Sequence, residues 1–167
     1  MELARRTDDG LRVSVDFMSR SRNTIPHVPF ERLAQIERVV RGFGDCTLPC
    51  EEWTHAAHLT VGLWYAREYP PGEALDRVRA GIKRYNVACG KQNTDTAGYH
   101  ETITRFYMWL IDNYLAVLTD TSDWVATTNA LVEHAGINAP NRYYSRERLM
   151  SVAARLDWIG PDLQPMD

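Results

Sequence analysis

The sequence predicts an all-α protein: a single-domain bundle of five to six helices around a long buried central helix. Three observations lead to this prediction. Apolar residues recur three and four positions apart over several stretches. Pro, Gly and capping residues separate these stretches by short polar loops. No repeat or composition break divides the chain, and 167 residues fit one domain.

The two ends of the chain are predicted to lie outside this bundle. Residues 1–28 are polar and arginine-rich, and positions 11–17 alternate as a strand does. A short strand, a helix and a loose arm all remain open for them. The helical domain is predicted to cover 29–160, and 161–167 form a C-terminal tail because Pro161 ends the helical pattern.

The central helix is predicted to cover 51–69, with Thr47 as its cap and Pro49 in its first turn. From Trp53 to Ala66 no residue carries a formal charge apart from two histidines. A helix that is apolar nearly all round is a buried helix. At about 100° per residue, one narrow stripe contains Glu51, His55, His58, Gly62 and Tyr65.

The other helices are predicted from their apolar stripes and end residues. The first begins after Pro29 and is closed by Gly42 and Gly44. The predicted limits of the others are 73–88, Thr96 to about Leu118, Thr121 to Gly136, and Ser145 onward.

The composition of the chain argues against nucleic-acid and membrane partners. Charged residues make up 25% of the chain and the net charge is -3, so no broad basic field exists for nucleic acid. No apolar run reaches membrane-spanning length, and the N-terminus lacks the apolar core of a signal peptide. These features predict a cytoplasmic protein without nucleic-acid or membrane partners.

The three cysteines are expected to be free thiols, since their number is odd and no secretion signal precedes them. A zinc site of Cys46, Cys50, His55 and His58 is disfavoured because Cys50 and His55 are too close in sequence for a zinc finger and Pro49 separates the thiols.

The histidines are the candidates for chemistry. His55 and His58 are about 60° apart on the helix and can reach one point beside it, where they could hold Zn, Fe, Ni or Mn. Glu51 could add an oxygen ligand. His100, expected in the first turn of the fourth helix, supplies a third ring that the helix dipole keeps neutral. Buried histidines that only hydrogen-bond a carbonyl or a tyrosine are the alternative.

Glu101 and the C-terminal segment 142–146 are two further candidates for a functional role. Glu101 points about 100° away from His100, toward Arg105, so an ion pair on the solvent side is its expected role. The C-terminal segment 142–146 places two arginines and two tyrosines at a helix N-terminus, which suits a carboxylate or phosphate.

Three motifs resemble a family of small, uncharacterised bacterial proteins. They are Glu52-Trp53-Thr54-His55-Ala56-Ala57-His58-Leu59 with the preceding Leu48-Pro49, Tyr99-His100-Glu101-Thr102-Ile103-Thr104, and Tyr143-Tyr144-Ser145. The resemblance covers about 30–160 and implies no reaction. It implies that His55, His58, His100, Glu101 and Thr104 belong to one pattern, and it favours Glu52 over Glu51 as the motif glutamate.

The function predicted from these residues is a metal-dependent enzyme acting on a small polar metabolite. His55, His58 and His100 would hold a divalent ion, and Glu101 would act as general acid or base. Hydrolysis, elimination and oxygen chemistry all remain open. The substrate-binding residues would be Thr104, Tyr144 and Arg146.

Two other functions remain possible alternatives to a metal-dependent enzyme. In the first, the same pocket belongs to a non-catalytic protein that binds a small anion or cofactor through hydrogen bonds. In the second, the histidines are core hydrogen-bonding groups and the arm 1–28 is a contact in a homodimer.

Overall fold

The computed structural model describes residues 29–166, and the predicted arm 1–28 lies outside the described residues. In this range two 3₁₀ turns, Cys50–Glu52 and Ala139–Arg142, accompany seven α-helices and no strand. The all-α prediction is confirmed for this part of the chain. The helices are α1 (Leu33–Gly44), α2 (His55–Glu68), α3 (Pro71–Ala88), α4 (Glu101–Val117), α5 (Trp124–His134), α6 (Arg146–Leu149) and α7 (Val152–Leu156).

Helix α2 is the central helix, since it packs against α1, α3, α4 and α5. It begins at His55, four residues later than predicted. Thr54 caps it by accepting a hydrogen bond from the Ala57 N–H, whereas Thr47 binds Asp45 in the preceding loop. Because the chain forms a 3₁₀ turn before Thr54, the predicted stripe does not include the glutamates.

Each glutamate of that 3₁₀ turn has a surface position. Glu51 is exposed. Glu52 accepts two hydrogen bonds from the Arg38 guanidinium, at 2.6 and 2.9 Å, which hold α1 to the turn. The choice between Glu51 and Glu52 as a partner of His55 and His58 is therefore not decided, because both glutamates lie at the surface of the turn.

Two glycines let α1 pack closely. A Cβ on Gly42 would lie 3.0 Å from the Leu48 backbone nitrogen, and one on Gly81 of α3 would lie 2.5 Å from Phe43. The helix ends at Gly44, within the predicted closing pair, and Gly42 is a buried packing residue inside it.

The later helices begin at side-chain caps. Ser145 caps α6, as the sequence predicts, and Asp123 caps α5 two residues after the predicted start at Thr121. The cap of α4 is His100, not Thr96, which lies in the preceding loop. The predicted last helix is divided because Ser151 caps a separate α7.

The prediction of three free thiols is wrong. Cys50 and Cys89 form a disulfide with a Cα–Cα distance of 5.9 Å, although 39 positions separate them in sequence. The end of α3 brings Cys89 beside the 3₁₀ turn that contains Cys50, and sequence spacing alone does not reveal this approach. Cys46 is free.

The C-terminal tail packs on the bundle. The backbone N–H groups of Asp162 and Leu163 donate to the Tyr143 carbonyl, and the Asp162 carboxylate accepts from the Ser145 N–H. Between residues 29 and 166, no helix combines the length and apolar character needed to cross a membrane.

Candidate ligand-binding cavity

A cavity of about 470 Å³ lies between α2, α3 and α4, a size in the range of small-molecule sites. The loop between α3 and α4 and the C-terminal helices complete its wall. Its lining contains Trp53, His58, Leu59, Gly62, Val78, Ile82, Asn86, Lys91, Gly98, Tyr99, His100, Ile103, Thr104, Tyr107, Met108, Ile111, Met150 and Arg155.

His58 is the histidine that faces the cavity with both ring nitrogens unpartnered within the described residues. Its ring lies against the Trp53 indole, with centroids 3.9 Å apart. Although protein surrounds the ring, His58 has an exposed surface because it faces the cavity. Burial, together with the charges of His55 and Lys91, lowers the pKa of His58 to about 3, so the ring is neutral at pH 7.

His100 also borders the cavity, but both of its nitrogens have backbone partners. Nδ1 accepts from the Ile103 N–H at 3.3 Å, which caps α4, so the proton is on Nε2. Nε2 then donates to the Leu149 carbonyl at 2.9 Å. Burial lowers the pKa of His100, in the direction predicted from the helix terminus.

His55 points elsewhere. Its Nε2 lies 2.7 Å from the Ala135 carbonyl oxygen, and its ring packs edge-on against Tyr107. Burial lowers the pKa of His55 as well, and the residue does not line the cavity. Of the three predicted histidines, His58 and His100 therefore line the cavity and His55 does not.

The described residues contain no cluster of three or more His, Cys, Asp or Glu side chains arranged to hold a metal ion. Ligation by all three histidines would require His55 and His100 to exchange their carbonyl partners for the metal. The Cys50 sulfur, a member of the disfavoured zinc site, is bound to Cys89. Metal binding at the three histidines stays a prediction.

The sequence assigned Glu101 the wrong partner and the wrong exposure. Glu101 is buried, with 8% of its side chain exposed, and pairs with Arg79 of α3, not with Arg105 on the solvent side. Arg79 donates to both carboxylate oxygens, at 2.9 and 2.6 Å, and the Tyr99 hydroxyl donates at 2.7 Å. Burial alone would raise the pKa of Glu101, but these hydrogen bonds outweigh it and the pKa lies below its ordinary value.

The three predicted substrate-binding residues are not brought together. Thr104 lines the cavity, and its hydroxyl donates to the His100 carbonyl at 2.9 Å. Tyr144 is buried away from the cavity, with its hydroxyl donating to the Ile159 carbonyl. Arg146 is exposed and does not line the cavity.

Several cavity residues were missed by the sequence reasoning. Lys91 lies in a loop of polar residues, and Arg155 is one of several arginines near the C-terminus. Neither position has a local pattern that distinguishes it. Trp53 is part of the family motif, and its indole N–H is buried without a hydrogen-bond partner in the described chain. For these missed residues, the only sequence feature that could have indicated a place in the cavity was the motif that contains Trp53.

No protein-family model, curated protein or solved structure matches this chain. The resemblance to the bacterial family stays a prediction.

Replacing His100 with alanine is expected to lower the free energy of unfolding by about 1 to 3 kcal/mol. The substitution removes the cap of α4 and leaves the buried Leu149 carbonyl without its donor. His100→Asn should lose less, because asparagine is a good helix cap. Urea unfolding of both variants measures the difference, and equal losses would argue against capping as the role of this ring.

Stability is expected to fall as the pH drops below 6.5, the ordinary histidine pKa. Because His55, His58 and His100 have lowered pKa values in the folded protein, the unfolded chain takes up their protons first. Each contributes at most about 1.4 kcal/mol per pH unit, and His58 less because its side chain is exposed to solvent at the cavity. Urea unfolding between pH 7.5 and 5 should show a shallower dependence for His58→Phe, and an unchanged slope would contradict this account.

Proposed function

We propose that the protein binds a small organic molecule in this cavity and that His58 forms hydrogen bonds to it. The observation that supports the proposal is a neutral imidazole facing the cavity with both nitrogens unpartnered in the described chain. A neutral imidazole has one N–H donor and one acceptor nitrogen, so it can bind a hydroxyl, an amide or a carboxylate.

The rest of the lining fits such a ligand. Seven of the eighteen lining residues are leucine, isoleucine, valine or methionine and three more are tryptophan or tyrosine, so hydrocarbon and aromatic surface is interspersed with polar groups that can orient a bound molecule. Gly62 also lines the cavity and lets α2 pack closely against α4, because an added Cβ would meet Ile111 Cδ1 at 2.7 Å.

A fragment screen by ligand-observed NMR tests the proposal. The set contains neutral, anionic and cationic compounds of about 10 to 14 non-hydrogen atoms, which suits a cavity of this size. Met150 borders the cavity and is 51% exposed, so Met150→Trp should obstruct it with little effect on folding. Fragments that bind the native protein should then lose binding.

Val152→Trp is the matched control. Val152 is 46% exposed in the same part of the chain and does not line the cavity. The proposal also requires weaker binding in His58→Phe, which keeps an aromatic ring beside Trp53 and removes both nitrogens. If no fragment distinguishes Met150→Trp from Val152→Trp, the cavity is not a ligand site and the proposal fails.

A metal-dependent enzyme is the second candidate, because the unpartnered nitrogens of His58 could also bind a metal ion. Zn, Fe, Ni and Mn are the ions proposed, and Glu101 would have to leave Arg79 to act as general acid or base. Elemental analysis of untagged protein tests this function. Absence of stoichiometric metal, together with unchanged binding of all four ions in His55→Ala, would remove it.

A cytoplasmic location stays a proposal. The Cys50–Cys89 disulfide argues against it, because disulfides are rare in reducing compartments. Alkylation of intact cells before lysis tests the location. Modification of all three cysteines fits the cytoplasm, whereas protection of Cys50 and Cys89 contradicts it.

A further inference from the structure

We infer that the ligand of this cavity is an anion with an apolar body, such as a small aromatic or aliphatic carboxylate. The inference rests on the proposed function and specifies the chemical class of the ligand. Its basis is the charge of the lining: Lys91 and Arg155 contribute two cations, and no aspartate or glutamate lines the cavity.

Both cations lack an ion-pair partner among residues 29–166. Lys91 is exposed, and no side-chain hydrogen bond occupies its ammonium in that range. The Arg155 guanidinium makes only two long hydrogen bonds, of 3.3 Å each, to the Gly98 and Tyr99 carbonyls. Each therefore has N–H donors available for an anion.

The loop before α4 holds the Lys91 backbone and the Arg155 side chain beside the cavity. The backbone N–H of Lys91 donates to the Asn86 carbonyl at 2.8 Å. Asn93 Oδ1 accepts from both the Asn86 side chain and the Tyr99 N–H, which closes the loop beside the cavity. Arg155 joins α7 to the same loop through its carbonyl contacts. The loop and α7 therefore present positive charge to one cavity.

The interior of the cavity has the opposite character. Leu59, Ile82, Ile103 and Ile111 line it with hydrocarbon, and the His58 ring beside them is uncharged at pH 7. A ligand that matches this surface buries an apolar body against these side chains and places its negative end near the cations. The His58 N–H remains available as one more donor.

Three probes of the same shape test the inference: 3-phenylpropionate, 3-phenylpropanamide and 3-phenylpropylammonium. Isothermal titration should give a Kd for the carboxylate about tenfold below that of the amide, with the ammonium weakest. Lys91→Gln and Arg155→Gln should each weaken carboxylate binding about threefold, and the double variant about tenfold, without changing the Kd of the amide. Added salt should reduce the preference for the carboxylate.

Arg146→Gln is the charge-matched control, since Arg146 is exposed outside the cavity. Equal binding of the three probes, or equal effects of Arg146→Gln and Arg155→Gln, would overturn the inference. Absence of binding by all three probes would also count against it. The fragment screen with Met150→Trp judges the cavity itself, so failure of the anion preference and failure of the proposed function are distinguishable.

Discussion

Removing the Cys50–Cys89 disulfide is expected to lower the free energy of unfolding by about 4 kcal/mol. The bond joins residues 39 positions apart, so its loss frees a long segment in the unfolded chain and raises its conformational entropy. For a chain of this size, such a change lowers the Tm by about 10 °C. Thermal unfolding of the Cys50→Ser/Cys89→Ser double variant, with and without reductant, measures the effect.

Cys46→Ser is the control, because Cys46 is a free thiol in the same region. It should unfold close to the native protein, and reductant should lower the stability of Cys46→Ser as it lowers that of the native protein. The double variant should no longer respond to reductant. A native protein whose Tm is unaffected by reductant would show that this disulfide does not stabilise the fold.

Breaking the ion pair between Arg79 and Glu101 is expected to cost about 3 kcal/mol. Arg79→Met leaves a buried carboxylate with the Tyr99 hydroxyl as its remaining hydrogen-bond donor. The cost should lie at the lower end of the range for buried pairs, because 27% of the Arg79 side chain is exposed. Denaturant unfolding of Arg79→Met, Glu101→Gln and the double variant gives the coupling energy between the two residues.

Arg105→Gln is the informative comparison, since Arg105 was the partner expected from helical spacing. In the folded protein Arg105 stacks over Trp158, and its charge reaches Glu101 only at longer range. Its substitution should therefore cost much less than Arg79→Met. Equal costs for the two arginine substitutions would mean that the buried pair is not the main partner of Glu101.

The same variants bear on the predicted catalytic role of Glu101. If the carboxylate only holds α3 to α4, Glu101→Gln should lower stability and leave the affinity of cavity ligands unchanged. A variant that stays folded and loses turnover of an identified substrate would instead support the general acid or base role.

Local sequence patterns determined the helical architecture. The spacing of apolar residues predicted α1, α3 and α5, and the absence of charge from Trp53 to Ala66 predicted that α2 is buried. Ser145 was identifiable as a cap because a cap depends on residues only two or three positions away. These features involve neighbours in the sequence, so the sequence alone was sufficient.

The residue at which α2 begins could not be predicted from the sequence alone. Thr47 and Thr54 are both good caps, and the choice between them depends on how the intervening turn packs. A start at Thr54 removes the glutamates from the helical stripe. The choice of the wrong cap therefore placed Glu51 among the candidate metal ligands.

The cavity itself was decided by tertiary structure. His55 and His58 are 60° apart on α2, and that angle is enough to send one ring to the Ala135 carbonyl and the other into the cavity. The disulfide, the Glu101 pair with Arg79 and the approach of Lys91 and Arg155 to one space all join residues distant in sequence. Such contacts depend on helix packing, which local periodicity does not encode.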